Sequence, residues 1–263
     1  MKRPRVASVS YLNAKPLIDG LEATCDLLLD VPSRLLGLMR EGRADVALLP
    51  VADVPELARE AGARVLRAGC IGCDGPTLTV RVFSDRPLAE VQTLYVDTDS
   101  HTSVNLARVV MRELYGREVM LVPLERGGAG RPGGRWPEGA VLLIGDKVMT
   151  AAPPASEKPV QVDLGEAWKR LTGLPFVFAV WTARADADAA ALEAVLTAAK
   201  VRGVSRVDEI VATHGVRYGW PADWARRYLT EFLKFDVGPR QLEAMRLFWK
   251  KAGLGDAPGA MPE

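Results

Sequence analysis

The chain has 263 residues, 48% of them hydrophobic, and its 34 basic side chains nearly balance 33 acidic ones, for a net charge of +1. That length supports one large domain or two lobes around a buried core. A near-neutral charge without a dense Lys/Arg run argues against nucleic acid or an anionic membrane as partner, and no window approaches the roughly 18 apolar residues of a membrane span.

The basic start Met1-Lys2-Arg3-Pro4-Arg5 leads into a short strand pattern rather than a secretory apolar segment, so a cytoplasmic protein is expected. Arg5 to Ser10 is strand-like, and Pro16 to Leu21 suits a short helix with proline in its first turn, where the missing N–H costs nothing. The stretch Val9-Ser10-Tyr11-Leu12-Asn13-Ala14-Lys15-Pro16-Leu17 joins them and is polar where a strand ends. A second strand is predicted over Leu27 to Val31. A helix follows from Ser33, with Leu35, Leu36, Leu38 and Met39 at helical spacing until Gly42, and then a buried strand over Ala44 to Val51. This βαβ rhythm predicts an α/β sheet covered by helices.

Cys25, Cys70 and Cys73 are an odd set. The turn residues Asp74-Gly75-Pro76 follow Cys70-Ile71-Gly72-Cys73 where a redox pair would open a helix, and zinc would lack ligands, so buried strand-end thiols are expected. Strands are then predicted over Thr77 to Ser84, Leu94 to Asp97 and Val119 to Pro123, with a helix from Ser103 to Tyr115. The glycine-rich run Gly127 to Gly134 leads into Arg135-Trp136-Pro137 rather than a Lys-Ser or Lys-Thr helix start, which reads as a surface loop and not a phosphate grip.

Ala140 to Ile144 is a buried strand ending at Gly145-Asp146, and Phe176 to Thr182 is another. Helices are predicted over Ala189 to Val201, Val207 to Thr213, Asp223 to Phe235 and Arg240 to Lys251. Their stripes, Trp224, Tyr228, Leu229, Phe232 and then Leu242, Met245, Phe248, Trp249, read as packing faces. The two long strands Thr77 to Ser84 and Phe176 to Thr182 suggest crossings near 80–86 and 177–183. Residues 1–84 with 180–263 would form one lobe, 85–179 the other, with a small-molecule cleft between them.

Ligands in such folds gather at strand ends, where helix N-termini offer free N–H groups. Three such ends are polar: Ser10 to Asn13, Thr98 to Ser103, and Gly145-Asp146. At the second, Thr102 and Ser103 fit both a carboxylate site and ordinary helix capping. Asp146 either faces the cleft or caps the next turn. His101 is either a titrating acid-binding group or a capping-loop residue, and His214, before Gly215, fits a helix C-terminus. With two histidines, no Gly-x-Ser-x-Gly elbow and no metal-ligand cluster, a hydrolase triad or metal enzyme is not expected.

The segments "VSYLNAKPL", "ADVALLPV", "GCDGPTLTV", "SHTSVNLARVV", "LLIGDKV", "DLGEAWKRLTGLPFVFAVWTAR" and "GPRQLEA" occur in this order and together resemble the chorismate dehydratases of the futalosine route to menaquinone, nearly end to end. The resemblance implies a two-lobed, type II periplasmic-binding-protein-like α/β fold. It also implies a hydro-lyase that takes chorismate to 3-[(1-carboxyvinyl)oxy]benzoate and water, without metal or organic cofactor. By that resemblance Asn13 and Thr79 are the expected catalytic residues. Tyr11, Ser100, Thr102, Ser103, Val104, Gly145 and Asp146 are the expected substrate contacts. Two departures stand out: the family's Gly-Pro-x-x-Ser reads Gly75-Pro76-Thr77-Leu78-Thr79 here, and its Ser-Arg-Thr-Ser reads Ser100-His101-Thr102-Ser103, which puts an ion-pairing role at position 101 in question. The alternatives are a non-catalytic carboxylate-binding protein of the same fold and a later enzyme of the same route.

Overall fold

The computed structural model describes residues 3–124 and 135–262, so the glycine-rich run expected as a surface loop lies outside the described residues. The first half comprises β1 (Arg5–Val9), α1 (Lys15–Ile18), β2 (Asp26–Asp30), α2 (Pro32–Arg40), β3 (Val46–Pro50), α3 (Val54–Ala61) and β4 (Arg64–Cys73). The middle holds β5 (Val80–Ser84), β6 (Thr93–Val96), α4 (His101–Tyr115), β7 (Met120–Pro123), β8 (Ala140–Ile144), α5 (Lys147–Thr150), β9 (Val160–Asp163) and α6 (Leu164–Thr172). The remainder is β10 (Phe176–Ala183), α7 (Ala189–Ser205), α8 (Val207–Ile210), α9 (Ala222–Arg227), the two-residue β11 (Leu233–Lys234) and α10 (Pro239–Ala252).

These strands form two sheets, ordered β11-β4-β10-β3-β1-β2 and β7-β6-β8-β5-β9. The two share one plan. In the first sheet β1 pairs in parallel with β2 and β3, and β10 runs antiparallel between β3 and β4. In the second, β6 pairs in parallel with β7 and β8, and β5 runs antiparallel between β8 and β9. β3 and β8 sit inside their sheets, and all five residues of each are buried, which is why both read as unbroken apolar runs. Edge strand β2 instead carries Asp26 and Asp30 at its ends, charges that discourage further pairing.

A continuous apolar core joins the sheets and the C-terminal helices. Trp168 of α6, Phe176 of β10 and Phe248 of α10 meet edge to face, with Phe176 centroids 5.2 Å and 5.1 Å from the other two rings. The buried indole N–H of Trp168 donates to the Pro175 carbonyl at 2.9 Å. Cys25, Cys70 and Cys73 are free and buried, the last two on β4. Burial pushes the Cys70 thiol up to about 12.

The structure revises several sequence expectations. β5 begins at Val80, not Thr77, because Thr77 to Thr79 are held out of the strand by the carboxylate of Asp163. Its Oδ1 accepts from the Thr77 N–H at 2.9 Å and its Oδ2 from the Leu78 N–H at 2.7 Å. The same carboxylate caps α6, accepting from Gly165 and Glu166. Leu78 is left with φ of 70°, the lone non-glycine positive φ among the described residues. α6 lies so close to this loop that a Cβ on Gly165 would fall 2.6 Å from both the Cys73 sulfur and the Gly75 carbonyl oxygen. β5 pairs wholly within the second sheet and β10 wholly within the first. The chain therefore changes sheets before residue 80 and again before residue 176, ahead of the boundaries expected from strand length.

Other revisions are local. α4 starts at His101 with Ser100 as its cap, two residues before the expected start. The helix expected over Asp223 to Phe235 breaks into α9, a π-helical turn over Tyr228–Phe232, and β11, which pairs with β4.

Removing the Asp163 carboxylate strands buried amides on both the loop and α6, and each costs about 1–3 kcal/mol when left unpaired. Asp163→Ala is expected to lose about 2–4 kcal/mol of stability in urea unfolding. Asp163→Asn, which keeps one acceptor oxygen, is expected to lose less.

Candidate functional site

Residues of both sheets line one cleft. Val9, Pro50, Ile71, Phe178 and Ala179 from the first sheet and Val80 and Ile144 from the second form apolar walls. Polar atoms come from Tyr11, Asn13, Thr77, Thr79, Ser100, Ser103 and Tyr228, with the backbone of Gly145. None of the lining residues is Asp, Glu, Lys, Arg or His.

Asn13 and Thr79 both line the cleft. After β1 the chain makes one turn of 3-10 helix over Leu12–Ala14, which places Asn13 at the strand's carboxyl end. Thr79 is the last residue before β5, and its carbonyl accepts from the Gly145 N–H at 2.8 Å. Its hydroxyl lies 2.7 Å from the Tyr228 hydroxyl. Burial makes deprotonation of that phenol difficult. The Asn13 amide oxygen is buried with no partner in the structure. Tyr228 stacks on Trp220, with centroids 4.8 Å apart and planes inclined by 15°, and the indole N–H of Trp220 donates to Asp146 Oδ1 at 2.7 Å.

Tyr11 and Gly145 meet at the cleft edge. A Cβ at Gly145, where φ is +62°, would sit 3.4 Å from the Tyr11 ring. The Tyr11 hydroxyl donates to Asp99 at 3.3 Å, and Lys147 bridges Asp99 at 2.9 Å and Asp97. Burial first, then the two carboxylates, push the Tyr11 phenol well above its usual range.

At the start of α4 the capping arrangement is realised. The Ser100 hydroxyl oxygen accepts from the Ser103 N–H at 3.2 Å and lies 3.1 Å from the Ser103 hydroxyl, while both serines also line the cleft. Thr102 is fully buried and turned elsewhere, its hydroxyl oxygen accepting from the Ala52 N–H at 3.1 Å. Val104 is half-buried against the core and does not line the cleft. Asp146 neither lines the cleft nor caps α5 with its side chain. It accepts from Trp220, and its burial raises its proton affinity. Of the expected residues the structure thus gathers Tyr11, Asn13, Thr79, Ser100, Ser103 and Gly145 around the cleft, and sets Thr102, Val104 and Asp146 behind it.

Tyr228 is the cleft residue that sequence reasoning assigned to packing. Its apolar neighbours on the helical stripe masked it, since only its hydroxyl distinguishes it from the core around it.

His101 pairs with Asp53, its Nδ1 lying 2.8 Å from Asp53 Oδ1. The hydrogen bond to Asp53, opposed by partial burial, raises its pKa above the ordinary 6.5. A raised folded pKa adds stability that is complete below the unfolded value and is lost as pH rises through the folded one. The lead of the native chain over His101→Gln in thermal midpoint is therefore expected to be largest near pH 5.5 and to shrink by pH 8.5, checked by melting both proteins across that range.

Residues 4–253 match the sequence profile of a family described as menaquinone biosynthesis. A chorismate dehydratase of Thermus thermophilus is 28% identical over 283 aligned positions, covering 99% of this chain and 97% of that protein. Among solved structures, an Archaeoglobus fulgidus protein superposes with a TM-score of 0.72 at 14% identity, covering 95% of this chain and 97% of the other. A Candida albicans gene product described as having the generic periplasmic binding protein fold superposes with a TM-score of 0.63 at 13% identity, covering 100% of this chain and 96% of the other. The two sheets, their shared strand order and the cleft between them are thus a periplasmic-binding-protein-like fold, and the chain belongs to the menaquinone-biosynthesis family.

Proposed function

We propose that the chain is a chorismate dehydratase, a hydro-lyase forming 3-[(1-carboxyvinyl)oxy]benzoate and water. The observation that carries this reading is the neutrality of the cleft, where hydroxyls, an amide and apolar walls surround the space without a carboxylate, ammonium, guanidinium or imidazole group. Such a lining suits a substrate that brings its own charge. Chorismate has a ring carboxylate, a second carboxylate on its enolpyruvyl ether, and a hydroxyl beside the ether-bearing carbon.

The reaction breaks the C–H bond at the ether-bearing carbon and delocalises the electron pair through the adjacent double bond into the ring carboxylate. The enolpyruvyl carboxylate takes the proton. Loss of the neighbouring hydroxyl, which leaves with a proton as water, makes the ring aromatic. Since aromatisation drives the sequence downhill, the protein has to hold one conformer and stabilise charge as it develops. Asn13 and Thr79 orient the reacting atoms. Ser100 and Ser103, at the first turn of the 15-residue helix α4, receive a carboxylate where the helix dipole favours it. The apolar walls exclude water, which strengthens each donor.

The purified protein is expected to convert chorismate, in the presence of a chelator, to an aromatic product lighter by one water, read by mass spectrometry and ultraviolet absorbance. Binding without conversion would favour the solute-receptor reading. Asn13→Ala is expected to lower turnover about 10²- to 10³-fold; near-normal turnover in that variant would refute the assignment of Asn13.

A further inference from the structure

We propose that Phe178 and Ala179 of β10 form the seat for the substrate's six-membered ring, built by a β-bulge that turns two successive side chains into the cleft. The inference rests on the reading of the cleft as the place where chorismate is bound. It deepens that reading by naming the residues that decide which ring shapes enter.

Side chains of a regular strand alternate between the two faces of a sheet, so neighbours in sequence do not share a face. β10 departs from this. Against β4, Val177 stands opposite Gly72 and Ala179 opposite Ile71, which leaves Phe178 as an extra residue in the ladder. Phe178 and Ala179 both line the cleft. They are 9% and 7% exposed, while no other residue of β10 exceeds 2%. Re-aiming a side chain beside a binding site is what bulges do. This one is accommodated by its surroundings. The Phe178 carbonyl accepts from the Val51 N–H at 3.0 Å. Opposite Val177, a Cβ at Gly72 would lie 2.8 Å from the Phe176 carbonyl oxygen, so glycine permits the close approach.

Ala179 is the middle of a cross-strand row. It pairs with Pro50 of β3 on one side and Ile71 of β4 on the other, and all three line the cleft. Cross-strand partners project from the same face, so the row runs large, small, large, and the single methyl of Ala179 leaves a hollow between its neighbours. The Phe178 ring bounds that hollow. It is braced edge to face by Phe176, with centroids 4.7 Å apart, and Phe176 is itself set against Trp168 and Phe248. The second sheet adds the paired residues Val80 and Ile144 to the same cleft. An apolar hollow with a fixed aromatic side fits the hydrocarbon face of a flat or nearly flat carbocycle. The carboxylates and hydroxyl of such a ligand then fall to the hydroxyls and amide of the lining. Phe178 also holds the ring more strongly once it is aromatic, because aromatic pairs attract beyond their buried area.

Ala179→Val fills the hollow with a side chain well suited to a strand. Its thermal midpoint is expected to hold while kcat/KM for chorismate falls about 10- to 100-fold. Phe178→Leu is expected to weaken calorimetric binding of 3-hydroxybenzoate, a flat-ring probe, about 3- to 10-fold. A further readout uses the native protein labelled with 13C-methyl alanine, in which the Ala179 methyl signal is identified by its absence from Ala179→Gly. Adding 3-hydroxybenzoate is expected to move that signal upfield, as a ring lying over a methyl does. An unmoved Ala179 signal with the probe bound, or native kcat/KM in Ala179→Val, would overturn the proposal, and the methyl signal decides if the valine variant fails to fold. Conversion of chorismate without these effects would sink the seat and leave the dehydratase reading standing. Ring binding at Ala179 without conversion would sink the dehydratase reading and keep the seat, and a native protein that neither binds the probe nor converts chorismate would sink both.

Discussion

One buried carboxylate closes the first passage between the two sheets, and the cleft is arranged around it. Asp163 receives four backbone N–H groups, two from the loop before β5 and two from α6. Arg81 lies 3.6 Å away. Taking a charge out of water is expensive, and this one is offset because donors already fixed by the backbone fill its lone pairs. The same contacts hold Leu78 in a left-handed conformation that costs about 1–3 kcal/mol. That backbone places Thr79 between the Gly145 amide and the Tyr228 hydroxyl.

Charge is organised around the cleft rather than in it. Lys147 with Asp97 and Asp99 stands at one side, and His101 with Asp53 at another. The second pair ties a segment after β3 of the first sheet to one after β6 of the second, and Tyr11, after β1, joins the first pair through Asp99. Within the lining, dipoles replace charges. Dipoles fixed in a water-poor site need no rearrangement when charge develops on a bound molecule, which is where hydroxyls and amides are most effective.

The legible part of the sequence was its periodicity and its family motifs. β3 and β8 announced themselves because a strand buried on both faces is apolar throughout. β4 was harder: Arg64, Arg67, Gly69 and Gly72 interrupt its apolar run, and the strand exists because β10 and β11 pair with it. The break after α9 was illegible for a similar reason, since Trp224, Tyr228 and Phe232 keep helical spacing while long-range pairing of Leu233 and Lys234 ends the helix. In the cleft, strand-end polarity and resemblance pointed to Asn13, Thr79 and the serines of α4. Whether a hydroxyl turns toward the cleft or, like that of Thr102, toward Ala52 depends on contacts 50 residues away and has no local signature.

The shared order of the two sheets also bears on how the chain is made. β3 and β4 are never neighbours, because β10 lies between them, and residues 74–175 separate β4 from β10 in the chain. A ribosome emitting the chain from its N-terminus delivers a three-stranded half-sheet, β2-β1-β3, and an unpaired β4, and then the whole second sheet before the strand that joins them. The second lobe can complete its hydrogen bonding while still tethered; the first cannot. Its exposed edges are the part of the nascent chain most open to wrong pairing, and the late arrival of Phe176–Ala183 is what removes them.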